Sequence, residues 1–154
     1  MRKIIIALFA AFLIPVSVWG QDDKVFRVGV DASVDGFISS GFSGGDRILI
    51  HPSYGLGVRA RLGRYDQWFN LVSGVRYIYG TSLSGFQVPI LLNLNLLKGP
   101  KVSAYVGGGF EFDFIGTYWG AAVVQAGLAG RHVDFRVFYK SYQGDVGAGF
   151  TYYF

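Results

Sequence analysis

Residues 145–154 read Asp145-Val146-Gly147-Ala148-Gly149-Phe150-Thr151-Tyr152-Tyr153-Phe154. Val146, Ala148, Phe150, Tyr152 and Phe154 are apolar, and the residues between them are Asp145, Gly147, Gly149 and Thr151 up to the Tyr152-Tyr153 pair. A period of two is the signature of a β-strand with unlike faces. The polar face here is unusual, because it is made of small residues rather than the lysines and glutamates of a water-exposed sheet.

The same period recurs upstream. Phe26, Val28, Val30, Ala32 and Val34 alternate with Arg27, Gly29, Asp31 and Ser33. Tyr54, Leu56, Val58, Ala60 and Leu62 alternate with Gly55, Gly57, Arg59 and Arg61. A third segment at 68–79 sets Phe69, Leu71, Val75, Tyr77 and Tyr79 against Asn70, Gly74 and Arg76. The fourth sets Phe86, Val88, Ile90, Leu92, Leu94 and Leu96 against Gln87, Asn93 and Asn95, with Pro89 inside it predicting a bulge or bend. The fifth sets Val102, Ala104, Val106, Phe110 and Phe112 against Ser103, Gly107, Gly109, Glu111 and Asp113. The sixth, at 118–130, is the weakest, since Ala121 and Val123 fall on the face of Gln125 and Gly127. The seventh sets Val133, Phe135, Val137 and Tyr139 against Asp134, Arg136 and Lys140. With 145–154 this makes eight segments of about ten residues, the length of a tilted strand that crosses a bilayer. An even number allows antiparallel closure, which leaves no unpaired edge. The expected fold class is all-β, an eight-stranded antiparallel up-and-down transmembrane β-barrel.

A soluble eight-stranded barrel also alternates, with its apolar face inward. Composition separates the two. The polar face carries Arg27, Arg59, Arg61, Arg76 and Arg136 against Asp31, Glu111, Asp113, Asp134 and Asp145, a balanced set suited to a narrow interior with room for bidentate pairs. The apolar face carries no charge in any strand core. Its aromatics gather near strand ends: Tyr54, Tyr77, Tyr79, Phe86, Phe112, Tyr118 and Tyr139 at one end, Phe26, Phe69, Tyr152 and Phe154 at the other. That is the pattern of two interfacial girdles around a membrane barrel. The whole chain agrees: of 154 residues 51% are hydrophobic and only 16% charged, and there are 23 glycines. Mean hydropathy is +0.36.

Met1-Arg2-Lys3 is a short positive stretch, residues 4–14 are apolar, Pro15 interrupts them, and Val18-Trp19-Gly20 offers a cleavage site. This layout predicts a signal peptide at 1–20 and a mature barrel domain at 21–154; the apolar run falls short of the ~20 residues of a spanning helix. Removing Arg2 and Lys3 lowers the net charge from +4 to +2. The chain has no Cys, so disulfides, thiol catalysis and a lipoprotein anchor are excluded. No basic run supports nucleic-acid binding. Short turns are expected at 63–67, 98–100 and 130–132, and a long Gly- and Ser-rich loop at 35–53, so the short turns face the periplasm and the longer loops the outside. The 35–53 loop is a candidate surface for a partner, unless Arg47 to Ile50 simply lengthen the second strand, which their β-branched residues favour.

The terminal Gly149-Phe150-Thr151-Tyr152-Tyr153-Phe154 resembles the last strand of bacterial outer-membrane proteins. The mature chain as a whole resembles the OmpA/OmpX-type eight-stranded barrels. Phe86-Gln87-Val88-Pro89-Ile90-Leu91-Leu92 with Tyr105-Val106-Gly107-Gly108-Gly109 resembles the PorT-like outer-membrane β-barrel domain common in Bacteroidetes. The resemblance implies a Gram-negative cell outer membrane as the location. It implies outer-membrane lipid and lipopolysaccharide as surroundings, and the barrel-assembly machinery as a partner through the C-terminal Phe154.

Chemistry is thin. His51 and Ser53, with Asp46 nearby, are the one nucleophile–base arrangement, and they motivate the alternative of a lipid A-modifying enzyme with a rim site near His51. His132 falls on a turn at the opposite end. Two distant histidines and scattered carboxylates lack metal-ligand spacing. Gly107-Gly108-Gly109 lies in a strand with no helix after it, so it is no phosphate loop. The expectation is a non-enzymatic barrel without cofactor, metal or catalytic residues, in a structural or surface-interaction role. Eight strands leave an interior that side chains fill, so its lumen should be a plug.

Overall fold

A computed structural model describes residues 25–40, 48–80, 84–114, 120–141 and 144–154. The signal peptide expected at 1–20 lies outside the described residues. The chain forms eight strands: β1 (Phe26–Ser40), β2 (Ile48–Leu62), β3 (Phe69–Gly80), β4 (Ser84–Lys98), β5 (Val102–Phe114), β6 (Ala121–Gly130), β7 (Val133–Lys140) and β8 (Asp145–Tyr153). Each pairs antiparallel with its neighbours in sequence, and β1 pairs with β8, so the sheet is a closed barrel. Among the described residues there is no helix.

Alternation becomes inside and outside. In β1, Arg27, Gly29, Asp31, Ser33 and Asp35 are buried, while Val30 and Val34 are half exposed. β7 shows the cleanest period, with Asp134, Arg136, Phe138 and Lys140 buried between exposed Phe135, Val137 and Tyr139. The charged and small face is thus the interior and the apolar face the exterior, the reverse of a soluble barrel. Gly147 shows why small residues line this interior: a Cβ there would strike the Phe138 ring and the backbone of Val34. Gly63 serves a different need, since the turn after β2 holds it at φ +106°, where a side chain is strained.

Three expectations change. The 35–53 loop is mostly strand, because β1 runs to Ser40 and β2 starts at Ile48. The favoured strand extension is therefore present, and what remains of the loop, 41–47, lies outside the described residues. β8 pairs with β1 only as far as Gly36, and β3 with β2 only as far as Ser53. Among the described residues, 37–40 and 48–51 consequently pair only with one another, as a two-stranded tongue above the barrel.

Second, Pro89 makes no bulge. Its register with β5 is unbroken, and toward β3 the ladder lapses between Ser73–Ile90 and Arg76–Gln87 and resumes unshifted. A missing N–H is accommodated by leaving the ladder open there. The register shift in β4 sits instead between Asn95 and Leu97.

Third, the interior is not wholly polar. Val72, Leu91, Val123 and Phe138 form an apolar cluster inside the barrel, and Tyr105 and Tyr153 are also buried. Ala121 and Val123 do lie inward, as the weak sixth pattern implied.

Candidate functional site

The interior charges come from strand positions that share one parity, so the sequence alone dictates that they converge. Arg136 of β7 reaches over β8 to Asp31 of β1, with Nη2 at 2.7 and 2.9 Å from the two carboxylate oxygens. The Thr151 hydroxyl donates to Asp31 Oδ1 at 2.6 Å and accepts from Arg136 Nη1 at 3.0 Å. Arg59 stands 3.8 Å from the same carboxylate and donates to Gln125 at 3.3 Å. Gln125 in turn donates to Asn93, and Asn93 to Asn70. One carboxylate therefore serves two guanidiniums, and a chain of amides continues the hydrogen bonding across the barrel.

A second cluster lies toward the end that carries 41–47, 81–83, 115–119 and 141–144. Arg76 donates to Glu111 at 2.5 Å, to Gln87 at 2.9 Å and to Ser33 at 3.0 Å. Lys140 donates to Asp35 at 2.5 Å and stands 3.0 Å from Glu111. Asp113 and Asp145 are half-buried at this mouth. The charge balance expected from sequence holds, yet its membership widens. Lys140 and Asp35 belong to the interior with the ten charges named above, giving six cations and six carboxylates.

Toward the opposite end, where the 63–68, 99–101 and 131–132 turns lie, Arg61 donates to the Gly130 and Arg131 carbonyls. Its guanidinium lies 4.4 Å from the centre of the Tyr153 ring. Tyr105 donates to Asp134 at 2.8 Å, and Arg27 to the Phe154 carbonyl at 3.5 Å. Phe138 stands between clusters, with Lys140, Arg76 and Arg136 at 5.3, 5.5 and 6.0 Å from its ring centre. These aromatic partners were not read from sequence. Parity was the available signal: Phe138 and Tyr153 share the phase of Arg136 and Thr151.

The outer wall is apolar. Leu56, Leu92, Phe110, Val124 and Val137 are all exposed; Lys98, exposed at the very end of β4, pairs with the inward Ser103. The aromatics Tyr54, Tyr77, Tyr79, Phe86, Phe112 and Tyr139 are exposed near one end, and Phe69, Tyr152 and Phe154 near the other. Tyr118 lies outside the described residues.

The residues of the enzyme alternative fall at both ends of the chain's strands. His51 is placed in β2 opposite Phe37, on the tongue, and Ser53 lies two residues further along. Asp46 lies outside the described residues. His132 is at the far end, its Nδ1 2.9 Å from the Tyr153 carbonyl and its ring stacked on Tyr152. No protein-family model and no curated protein matches the chain. Among solved structures it is similar to the de novo designed TMB2.3, known by solution NMR. The TM-score is 0.48 at 18% identity, covering 86% of this chain and 97% of the design.

Proposed function

We propose that this chain is an integral outer-membrane β-barrel protein, exported by a cleaved signal peptide, with a side-chain-filled lumen and a non-enzymatic structural or surface-interaction role. The observation that carries this reading is the inverted partition of the barrel: paired charges buried inside, and an uncharged apolar wall outside. Water would leave such a wall unsatisfied, whereas hydrocarbon matches it, and a closed barrel leaves no lipid-facing backbone unpaired. The exposed aromatics near both ends suit the two bilayer interfaces. The OmpA/OmpX-type and PorT-like resemblance of the sequence supports the outer membrane of a Gram-negative cell. Surface partners would meet the tongue formed by residues 37–40 and 48–51.

The test is gel mobility. A folded barrel of this kind resists detergent below boiling, so unheated and boiled samples should run as separate bands. One position regardless of heating would count against the membrane barrel.

The filled lumen has its own consequence. The interior holds Arg76, Lys140, Arg136, Arg59 and their partners together with the Val72–Leu91–Val123–Phe138 cluster. Reconstituted in a planar bilayer, the protein should carry no steady current. Stable, large conductance steps would overturn the plug.

A further inference from the structure

The register shift of β4 builds a distinct corner at the short-turn end of the barrel. Bulges re-aim side chains, and this one turns both Leu96 and Leu97 outward, 52% and 72% exposed, while Asn95 stays buried. The corner is tied to the neighbouring turn. The Asn95 N–H donates to the Trp68 carbonyl at 2.9 Å, and the Asn95 side-chain amide donates to the Gln67 carbonyl. The Tyr65 hydroxyl donates to the Pro100 carbonyl at 2.7 Å, joining the 63–68 and 99–101 turns. Trp68 is 59% exposed, and Lys98 Nζ lies 3.6 Å from the centre of its ring. Lys101 is exposed on the adjoining turn. An exposed tryptophan with a lysine over its ring, two outward leucines and a second exposed lysine thus lie on neighbouring segments at the end of the apolar wall.

We propose that this corner seats an anionic phospholipid, with Lys98 and Lys101 at the phosphate headgroup and Trp68, Leu96 and Leu97 against the upper acyl chain. The inference rests on the membrane placement above. Charge complementarity selects the occupant. The turns at this end and the last residue of β4 carry Arg64, Lys98, Lys101 and Arg131 against Asp66, which pairs with Arg64, and basic residues at a membrane surface favour anionic lipid. The apolar side chains continue the lipid-facing wall, so a bound lipid stays in its leaflet. Indole at the headgroup level and an ammonium over its face hold the cation where a phosphate oxygen can reach it.

Tryptophan quenching tests the seat. The chain has three Trp, at 19, 68 and 119; the first leaves with the signal peptide, so the W119F variant of the mature chain reports on Trp68 alone. It is folded into phosphatidylcholine vesicles that contain a minor fraction of brominated phosphatidylglycerol or, separately, of brominated phosphatidylcholine. At low ionic strength the glycerol lipid should quench Trp68 about fivefold more per molecule. Adding K98Q and K101Q should bring the ratio to about one while the heat-dependent gel shift persists. Equal quenching by both lipids before those changes overturns the seat and leaves the membrane placement standing. A preference that survives K98Q/K101Q overturns the assignment to these lysines. Quenching by neither lipid overturns the membrane placement, and the seat with it.

Discussion

Leu92→Arg should destabilise the barrel in a bilayer by about 2–4 kcal/mol, measured by urea unfolding from phospholipid vesicles. Leu92 points outward from β4, half exposed, with Leu71 and Gly108 as its cross-strand neighbours. It lies near the middle of its strand, so its surroundings in a membrane are hydrocarbon at both sides. A guanidinium there must either lose its hydration or drag water and headgroups inward. The same substitution on a water-exposed face shifts stability by no more than about 0.5 kcal/mol. Ser84→Arg, on the exposed first residue of β4, supplies the comparison, with a cost below about 1 kcal/mol near the interface. Equal, small effects at both positions would put this wall in water.

Asp31→Ala tests the interior and should cost about 3–5 kcal/mol in the same unfolding measurement. Removing the carboxylate takes both short contacts from Arg136 Nη2, leaving that guanidinium with Thr151, and leaves Arg59 with Gln125. Neither guanidinium can escape to water, because both side chains are almost fully buried. The partner change Arg136→Ala removes the cation instead, so Asp31→Ala/Arg136→Ala should lose less than the sum of the single losses, by about 0.5–3 kcal/mol. Strict additivity, or a loss under about 1 kcal/mol for Asp31→Ala, would mean that water fills the lumen and screens the pair.

Most of the architecture is legible in the sequence because a two-residue period survives in nearly every strand. The inside could be told from the outside because arginine beside glycine is a poor surface and a serviceable interior. The unread parts have definite causes. Val72 and Leu91 adjoin outward Leu71 and Leu92, so each pair looks like a plain apolar run, and only strict parity marks one member as inward. Asp35 lies where composition suggested a loop, so its meeting with Lys140, far away in the chain, could not be read. The Asn95–Leu97 shift did leave a trace, since Leu96-Leu97 breaks the alternation just before Lys98. Pro89 pointed to an irregularity that is present as an open ladder and not as a bulge, because a gap in the pairing satisfies proline as well as a bulge does. For His51, Ser53 and Asp46 the sequence offers proximity along the chain; the first two stand two residues apart in β2, and Asp46 lies outside the described residues.

The ion pairs Arg136–Asp31 and Lys140–Asp35 both join β7 to β1, passing over β8. They act as clasps across the seam where the first and last strands meet. Both clasps span β8, so they hold only in the closed cylinder and add nothing to an open sheet. Such long-range closure slows folding. It also makes the end state hard to leave, because parting the seam exposes four buried charges together with the backbone of two strands.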